Sequence, residues 1–472
     1  MNQPSQLARV AVVGAGAMGT GIAQVAATAG HSVQLYDSRA SAAQSAIASV
    51  GVMLQKLASK GKMAPAEADA ACGRMSAAGD LATLAGAGVV IEAIVEDLGV
   101  KRDLWMQLES LVSSDCLLAT NTSSLGIPSI ASALKVPGRL VGMHFFNPAP
   151  LMELVEIVGG ITTDAAFLDR AEALARSWGK TTVRARSTPG FIVNRVARPY
   201  YAEGMRLLDE GVASAATLDA IYRECGGFRM GPMELTDLIG HDVNFAVTST
   251  VWRSFFNDPR FTPSLLQQEL VEAGWLGRKS GRGFYDYNAG AATLAPASLP
   301  PVARPKRLAV SGMPAALRPR VVAAGIEVAN GPAAVEFDLA FDYASAKRMA
   351  ISRTRDCDDA TWQAVVGALQ ASGLAVSELP ALPGLVVLRT VAMLANEAAD
   401  AVYHGVASAA DVDLAMCKGV NYPIGPLAWA DRIGIGAIFE TLSRLGVFYG
   451  EDRYRISPLL RQLHDRNGTF HG

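Results

Sequence analysis

Three glycines near the start of the chain, Gly14, Gly16 and Gly19, follow the spacing G-x-G-x-x-G between an apolar run of strand length at residues 10–13 and a helical run at residues 22–29. Gly30 caps that run, and residues 32–36 read as a second strand ending at Asp37. The arrangement predicts a βαβ unit that binds a dinucleotide. Alone the glycine triplet is a weak signal, but strand before, helix after and an acid 18 residues beyond Gly19 make it specific. Gly14 permits the tight turn, Gly16 lets the backbone approach a pyrophosphate, and Gly19 lets helix and strand pack closely. The helix N-terminus turns free N–H groups and partial positive charge toward the phosphates, and Ala17 and Met18, within the glycine turn, are expected cofactor contacts. Asp37 can accept hydrogen bonds from the adenosine ribose, which favours NAD because a 2′-phosphate would face a carboxylate; Arg39 is the neighbour that would instead accommodate NADP. Residues 10–30 carry no charge and are long enough to span a bilayer, but Gln24, the threonines and the glycines interrupt their apolar character.

Half of the 472 residues are hydrophobic and only 18% are charged, so the chain can bury large cores in two to four domains. A net charge of −2 gives no reason to expect nucleic acid or an anionic membrane as partner. The first ten residues contain no apolar leader core, and the five cysteines are odd in number, widely spaced and without a C-x-x-C pair. Neither a disulfide frame nor a metal site is indicated, and cytoplasm is the expected location.

Beyond Asp37 an alanine-rich helix is expected at residues 41–57. It carries Lys56, followed by Lys60 and Lys62; such lysines usually form a solvated face, but they are also the nearest cations for a phosphorylated substrate. Residues 88–94 read as a buried strand and Asp97 as the cap of a helix to about residue 112. Glu92, Glu96 and Lys101 fall at the strand exit or in that helix, and ligands in open α/β sheets bind at strand carboxyl ends. The strand at 116–120 empties into Asn121-Thr122-Ser123-Ser124, which either caps the next helix, at 127–134, or holds a substrate hydroxyl or carbonyl.

The strand at 139–143 ends in His144, and Glu156 follows 12 residues later on an alternating run at 152–158. A histidine at a strand end is commonly structural. Here it stands where the reacting end of the cofactor should lie, with a carboxylate on the neighbouring strand able to orient its ring. Hydride removal from an alcohol needs a base for the hydroxyl proton, and an imidazole steadied by a carboxylate supplies one. An alcohol dehydrogenase therefore fits better than a flavin or methyl-transfer enzyme.

A helix at 163–179 and a strand at 180–185 close the first domain, Ser187-Thr188-Pro189-Gly190 marks its boundary, and residues 191–256 read as helices with Asn194 one turn into the first. Together these features predict a Rossmann-type α/β domain at 1–187 and an all-α domain at 188–288. A linker is expected at 289–305, a small α/β segment without a glycine fingerprint at 306–380, and a second helical domain at 381–472. That last domain repeats the earlier one: Pro189-Gly190 recurs as Pro383-Gly384, Arg195 as Arg389, Glu203 as Glu397, Asp219 as Asp413 and Asp237 as Asp431, all at an offset of 194 without a gap. This is a duplication. The copy has Leu388 where Asn194 would recur, so it reads as a packing partner. Residues 367–379 also resemble 173–185, as a reduced relic of the first domain would.

The runs GAGAMGTGIAQ, NTSSL, HFFNP, LVEIV, TPGFIVNR, GFRMGPMELTDLIG and GRKSGRGFYDY, in this order, resemble those of the L-3-hydroxyacyl-CoA dehydrogenases over residues 10–287. The resemblance implies NAD as cofactor, an acyl-CoA as substrate, His144 as general base and Glu156 as its orienting partner. It further implies Ser123 and Asn194 as hydrogen bonders to the substrate, and Glu96, Lys101, Ser123, Asn147 and Lys279 as cofactor contacts. The long form with two helical domains is similar to enzymes of phenylacetate breakdown that oxidise 3-hydroxyadipyl-CoA. That substrate ends in a carboxylate, for which Arg195 and Arg198 are candidates alongside a structural ion-pairing role. 3-Hydroxybutyryl-CoA is the other substrate implied. Two further readings stand beside this one: a dehydrogenase of a free hydroxy acid or sugar acid, and a non-catalytic NAD-binding protein. Single-copy members are expected to dimerise through their helical domains, a contact that the second copy here would supply within one chain; further homo-oligomerisation is left open.

Overall fold

The computed structural model describes residues 8–39, 41–292, 294–333 and 335–472. Residues 1–7, where no leader core was expected, and Thr293 within the linker lie outside the described residues. Two compact units are present: the residues up to Asn194 with His404–Val420, and Arg195–Tyr403 with Asn421–Gly472.

The first unit is built on an eight-stranded sheet of β1 (Val10–Val13), β2 (Val33–Tyr36), β3 (Met75–Ala77), β4 (Val89–Glu92), β5 (Leu117–Thr120), β6 (Leu140–Phe145), β7 (Leu154–Gly159) and β8 (Thr181–Arg186), in the order 3-2-1-4-5-6-7-8. Neighbours from β3 through β6 pair parallel; β7 is antiparallel to β6, and β8 runs parallel to β7. β1, β4 and β5 are buried along their whole length and apolar except for Glu92 and Thr120 at the carboxyl ends of β4 and β5, as a sheet covered on both faces requires. Val12, Ile22, Leu35, Ile91, Met143 and Val155 share one core with the connecting helices. The strand order reverses between β1 and β4, which opens a ligand crevice at the carboxyl ends of those strands.

The helices of this unit are α1 (Ala17–Thr28), α2 (Ala42–Ser59), α3 (Pro65–Gly73), α4 (Leu98–Leu111), α5 (Ile127–Ala131) and α6 (Ala165–Ser177). Helix α1 begins five residues before Ile22, where the sequence placed its start. Glycine propensity argues against helix at Gly19 and Gly21, but a Cβ at Gly19 would run into the Gly14 carbonyl, so packing and not propensity sets the start. β3 and α3 lay between predicted elements.

A short α7 (Val193–Val196) leads into the second unit, where α8 (Arg198–Asp209), α9 (Ala215–Glu224), α10 (Pro232–Ile239), α11 (His241–Ser254) and α12 (Leu265–Glu272) follow. A small α/β segment then contains β9 (Arg307–Ser311), α13 (Arg318–Ala323), β10 (Glu327–Ala333), β11 (Val335–Phe337), β12 (Arg348–Arg353), α14 (Asp359–Ala371) and β13 (Ala375–Leu379). The chain finishes with α15 (Val387–Tyr403), α16 (Ala409–Gly419), α17 (Pro426–Ile433), α18 (Ile435–Tyr449) and α19 (Pro458–Asp465).

Helices α15–α19 pair off with α8–α12 at the offset of 194, and the backbone repeats in detail: Phe191 and Leu385 both have φ 47°, Gly240 and Gly434 φ 101° and 102°. The repeat reaches further back than residue 367. Both ends of α14 lie 194 beyond those of α6, and the Arg348–Ala375 register of β12 with β13 repeats Leu154–Thr181 of β7 with β8. Asp338 then stands at the position of His144 and Ala350 at that of Glu156, with the Asp338 N–H donating to the Ala350 carbonyl at 3.0 Å. The lone Asp338 carboxylate accepts the N–H groups of Val386, Val387 and Leu388. β9, α13 and β10 form a parallel βαβ remnant whose first turn holds only Gly312 of a glycine motif.

Within the second unit, the Arg195 guanidinium donates to Glu397 at 2.6 Å, and Arg389 donates to Glu203. Each pair is the other displaced by 194, so α8 and α15 meet about a pseudo-twofold axis. Arg260 joins the first pair through Asp400 at 2.8 Å, and Tyr454 joins the second, accepting from Arg389 at 2.8 Å.

Candidate active site

The loop after β1 carries the glycine triplet. Gly14 has φ 105°, and a side chain there would strike the carbonyl of Ala93, so this turn admits only glycine. A Cβ at Gly16 would meet nothing within 4 Å: the loop is open on the side where a pyrophosphate would lie. No side chain caps α1, which leaves the N–H groups of its first turn, at Ala17 and Met18, for an anion. Asp37 takes the Ala15 N–H at 2.8 Å and the Arg39 guanidinium at 3.0 and 3.2 Å. The Arg39 hydrogen bonds hold its carboxyl down to about 2, against an opposing effect of partial burial. A cleft of about 680 Å³ runs along Gly14, Gly16, Asp37, Arg39, Ile94 and Val100. An open loop, an uncapped helix and a permanently charged carboxylate fit the pyrophosphate and ribose of NAD.

At the ends of β4 and β5 a buried relay holds the next loop in place. Glu92 is fully buried and accepts from Lys101 Nζ at 2.5 Å, Thr120 Oγ1 at 2.7 Å and the Ile94 N–H at 2.9 Å. Lys101 also reaches Glu96 at 3.3 Å. One oxygen of Glu96 gathers Thr122 Oγ1 at 2.6 Å and the N–H groups of Ser123 and Ser124 at 2.9 and 3.1 Å. Burial works to raise the Glu96 carboxyl, but Lys101 and these donors outweigh it and hold it below the usual range. Only 1% of Lys101 is exposed, and it stands as a strut between the two carboxylates.

His144 and Glu156 are directly opposed on antiparallel β6 and β7. His144 Nδ1 lies 2.5 Å from Glu156 Oε2, and the second Glu156 oxygen accepts the N–H groups of Ile192 and Val193 at 2.9 and 3.0 Å. Phe146 and Phe191 hold the imidazole, with ring centroids 4.5 and 5.7 Å away. With Nδ1 turned to the carboxylate, Nε2 is the nitrogen left for a substrate. Asn194 Nδ2 approaches the Ser123 carbonyl at 3.5 Å, which brings these two expected substrate contacts together on the first unit. Asn121 Oδ1 accepts the Phe145 N–H at 2.9 Å and ties the Ser123 loop to the His144 strand. Asn147 is exposed on the loop leaving β6, and Lys56 is exposed on α2. Lys279, in the second unit, pairs with Asp242 at 2.5 Å.

Two expectations change. Arg195 is buried in its pairs with Glu397 and Asp400. Arg198 is buried too, donating to Thr248 Oγ1 at 2.9 Å with its guanidinium over the Tyr201 ring. Both serve the helical packing; the sequence could not choose, because the partners of Arg195 lie about 200 residues away. Phe146, Phe191 and the Ile192–Val193 amides were not singled out by sequence. The signal was present in the Pro-Gly breaker at 189–190 and its recurrence at 383–384, which sets up the left-handed residue at 191 and 385. Among the described residues no group of three or more His, Cys, Asp or Glu gathers to hold a metal, and no helix is long and apolar enough to cross a membrane.

Comparison with known proteins matches residues 9–188 to the 3-hydroxyacyl-CoA dehydrogenase NAD binding domain. Residues 190–287 and 384–469 both match the 3-hydroxyacyl-CoA dehydrogenase C-terminal domain. Residues 322–383 match the 3-hydroxybutyryl-CoA dehydrogenase reduced Rossmann-fold domain. The chain is 44% identical to the 3-hydroxyadipyl-CoA dehydrogenase of Escherichia coli (strain K12) over 96% of each chain. It is 39% identical to the 3-hydroxybutyryl-CoA dehydrogenase of Clostridioides difficile, covering 59% of this chain and 99% of that protein. The crystal structure of 3-hydroxybutyryl-CoA dehydrogenase from Escherichia coli K12 superimposes with a TM-score of 0.88 at 42% identity, covering 97% of this chain and 98% of the other.

Proposed function

This chain belongs to the 3-hydroxyacyl-CoA dehydrogenase family, and from that premise we propose how its residues carry out the NAD-dependent oxidation of a 3-hydroxyacyl-CoA to the 3-ketoacyl-CoA. The observation that supports the assignment is the His144–Glu156 pair, whose carboxylate is saturated on one side by two backbone amides and on the other by the imidazole. His144 Nε2 takes the 3-hydroxyl proton, and Glu156 keeps the ring oriented and stabilises the imidazolium that forms. NAD, held by Gly14, Gly16, the start of α1 and Asp37, supplies the hydride acceptor for C3. Glu96, through Ser123 and Ser124, fixes the loop from which Ser123 meets the substrate oxygen, and Asn194 reaches the thioester region from the adjoining turn. Lys56 offers a cation to the CoA phosphates, and Asn147 and Lys279 offer cofactor contacts.

For the acyl group we propose 3-hydroxyadipyl, supported by 44% identity across both whole chains with the Escherichia coli 3-hydroxyadipyl-CoA enzyme; 3-hydroxybutyryl is the second reading, supported by the whole-chain structure named for it at 42% identity. We propose phenylacetate breakdown as the setting of the adipyl reading, on the resemblance of the long form to the enzymes of that route. The distal carboxylate of the adipyl group must find a cation other than Arg195, whose guanidinium is already committed. One active site per chain follows from Asp338 and Ala350 standing where the base and its partner would recur. The test is a steady-state panel of 3-hydroxyadipyl-CoA, 3-hydroxybutyryl-CoA and free 3-hydroxybutyrate with NAD. A higher kcat/KM on 3-hydroxybutyryl-CoA overturns the dicarboxylate assignment, and turnover of the free acid alone overturns the thioester.

A further inference from the structure

Helix α16 belongs by sequence to the second helical copy, yet it packs on β7 and β8 of the first unit, the strands beside the catalytic pair. Lys418 pairs with Glu153 at 2.6 Å, and the Arg186 N–H donates to the Val406 carbonyl at 2.8 Å just ahead of the helix. The helix comes close at Gly419, its last residue. A Cβ there would lie 2.8 Å from Leu154 Cδ2 and 3.0 Å from Val193 Cγ2. Gly419 is not among the residues of positive φ, so its backbone conformation does not demand glycine; an added Cβ would instead press on the ends of the Leu154 and Val193 side chains, which would have to shift. The corresponding residue of the first copy is Cys225, whose thiol donates to the Leu339 carbonyl at 3.3 Å, so the same seat elsewhere accepts a side chain.

Leu154 and Val193 are both buried and both attached to Glu156. Leu154 precedes it by two residues on β7, and the Val193 N–H is one of the two that fix its carboxylate. We propose that Gly419 of the second helical copy is a positioning residue for the dehydrogenation: it seats α16 against Leu154 and Val193 and so sets where Glu156 holds His144. The degenerate copy thus acts on the chemistry of the first while contributing no group that touches substrate. This rests on Glu156 orienting the base.

The test is a graded series in the full chain, Gly419→Ala, Gly419→Val and Gly419→Leu, each made also in a Glu156→Gln background and assayed with NAD and 3-hydroxybutyryl-CoA. Because a misplacement of about 1 Å near a reacting group can cost about a hundredfold, kcat should fall progressively, by about ten- to a hundredfold for leucine, with KM for NAD little changed. In the Glu156→Gln background the same substitutions should cost little more, since the effect runs through Glu156. Circular dichroism and thermal unfolding establish that each variant is folded; if the leucine variant is not, the alanine and valine variants carry the same cycle. Wild-type kcat in all folded variants, or an equal fold-loss in both backgrounds, overturns the proposal. Glu156→Gln with wild-type turnover would instead remove Glu156 from the mechanism and leave the packing at Gly419 as plain structure.

Discussion

Replacing Arg389 by methionine should destabilise the protein much more than replacing Arg195, although the two residues are equivalent in the repeat. Arg389→Met leaves Glu203, fully buried, with no cation: its remaining neighbour is the Tyr454 hydroxyl at 3.3 Å. Removing one partner of a buried pair costs about 3–5 kcal/mol because the other charge stays desolvated, and the tyrosine puts this case near the lower end. Arg195→Met leaves Glu397 and Asp400 with Arg260, whose Nη1 lies 3.3 and 2.8 Å from them, so a cation remains and the cost should fall to about 1–2 kcal/mol. At about 2–4 °C per kcal/mol for a unit of this size, Arg389→Met should lower the melting temperature by about 6–12 °C. Arg195→Met should lower it by about one to two thirds as much. Adding Glu203→Gln to Arg389→Met removes the orphan charge and should recover most of the loss. Differential scanning calorimetry of the four proteins decides it. Equal shifts for the two arginine variants, or a double variant no more stable than Arg389→Met, would refute the reasoning.

His144→Gln should lower kcat by about 10²–10⁴-fold and leave NADH affinity nearly unchanged, because what is lost is general-base catalysis; near-wild-type turnover takes His144 out of the mechanism. Glu156→Gln should cost less in the same assay, since the carboxylate orients the base without accepting the substrate proton. Asp37→Ala with Arg39 kept should weaken NAD use and narrow the preference over NADP, read as the ratio of kcat/KM with the two cofactors. A wild type that already prefers NADP would contradict the ribose-acceptor role of Asp37. Truncation near Asn288 removes α15 from α8 and leaves Glu203 and Arg195 without their partners. The truncated chain should dimerise or aggregate in light scattering with reduced activity, and a fully active monomer would sink the docking argument.

What the chain order of residues determined is local or periodic. An apolar run before Gly14-x-Gly16-x-x-Gly19 and an acid at Asp37 specify a βαβ dinucleotide unit, because the spacing of strand, turn, helix and acid is itself local. The 12-residue spacing of His144 and Glu156 spans a single strand connection, so their opposition on β6 and β7 was readable, as was a repeat at a constant offset. What the sequence left open depends on charges brought together from far apart. Lys101 reads in the sequence as a cation near the ligand crevice, and only the packed fold shows Glu92 and Glu96 closing on it. Arg195 is equally able to hold a ligand carboxylate or a protein one, and only the docking of α15, about 200 residues on, commits it to Glu397. The glycine at 419 follows the same rule. Propensity and spacing act within a few residues, whereas which cation is spent inside the fold, and where an added Cβ would press on a packed side chain, are settled only when distant segments pack.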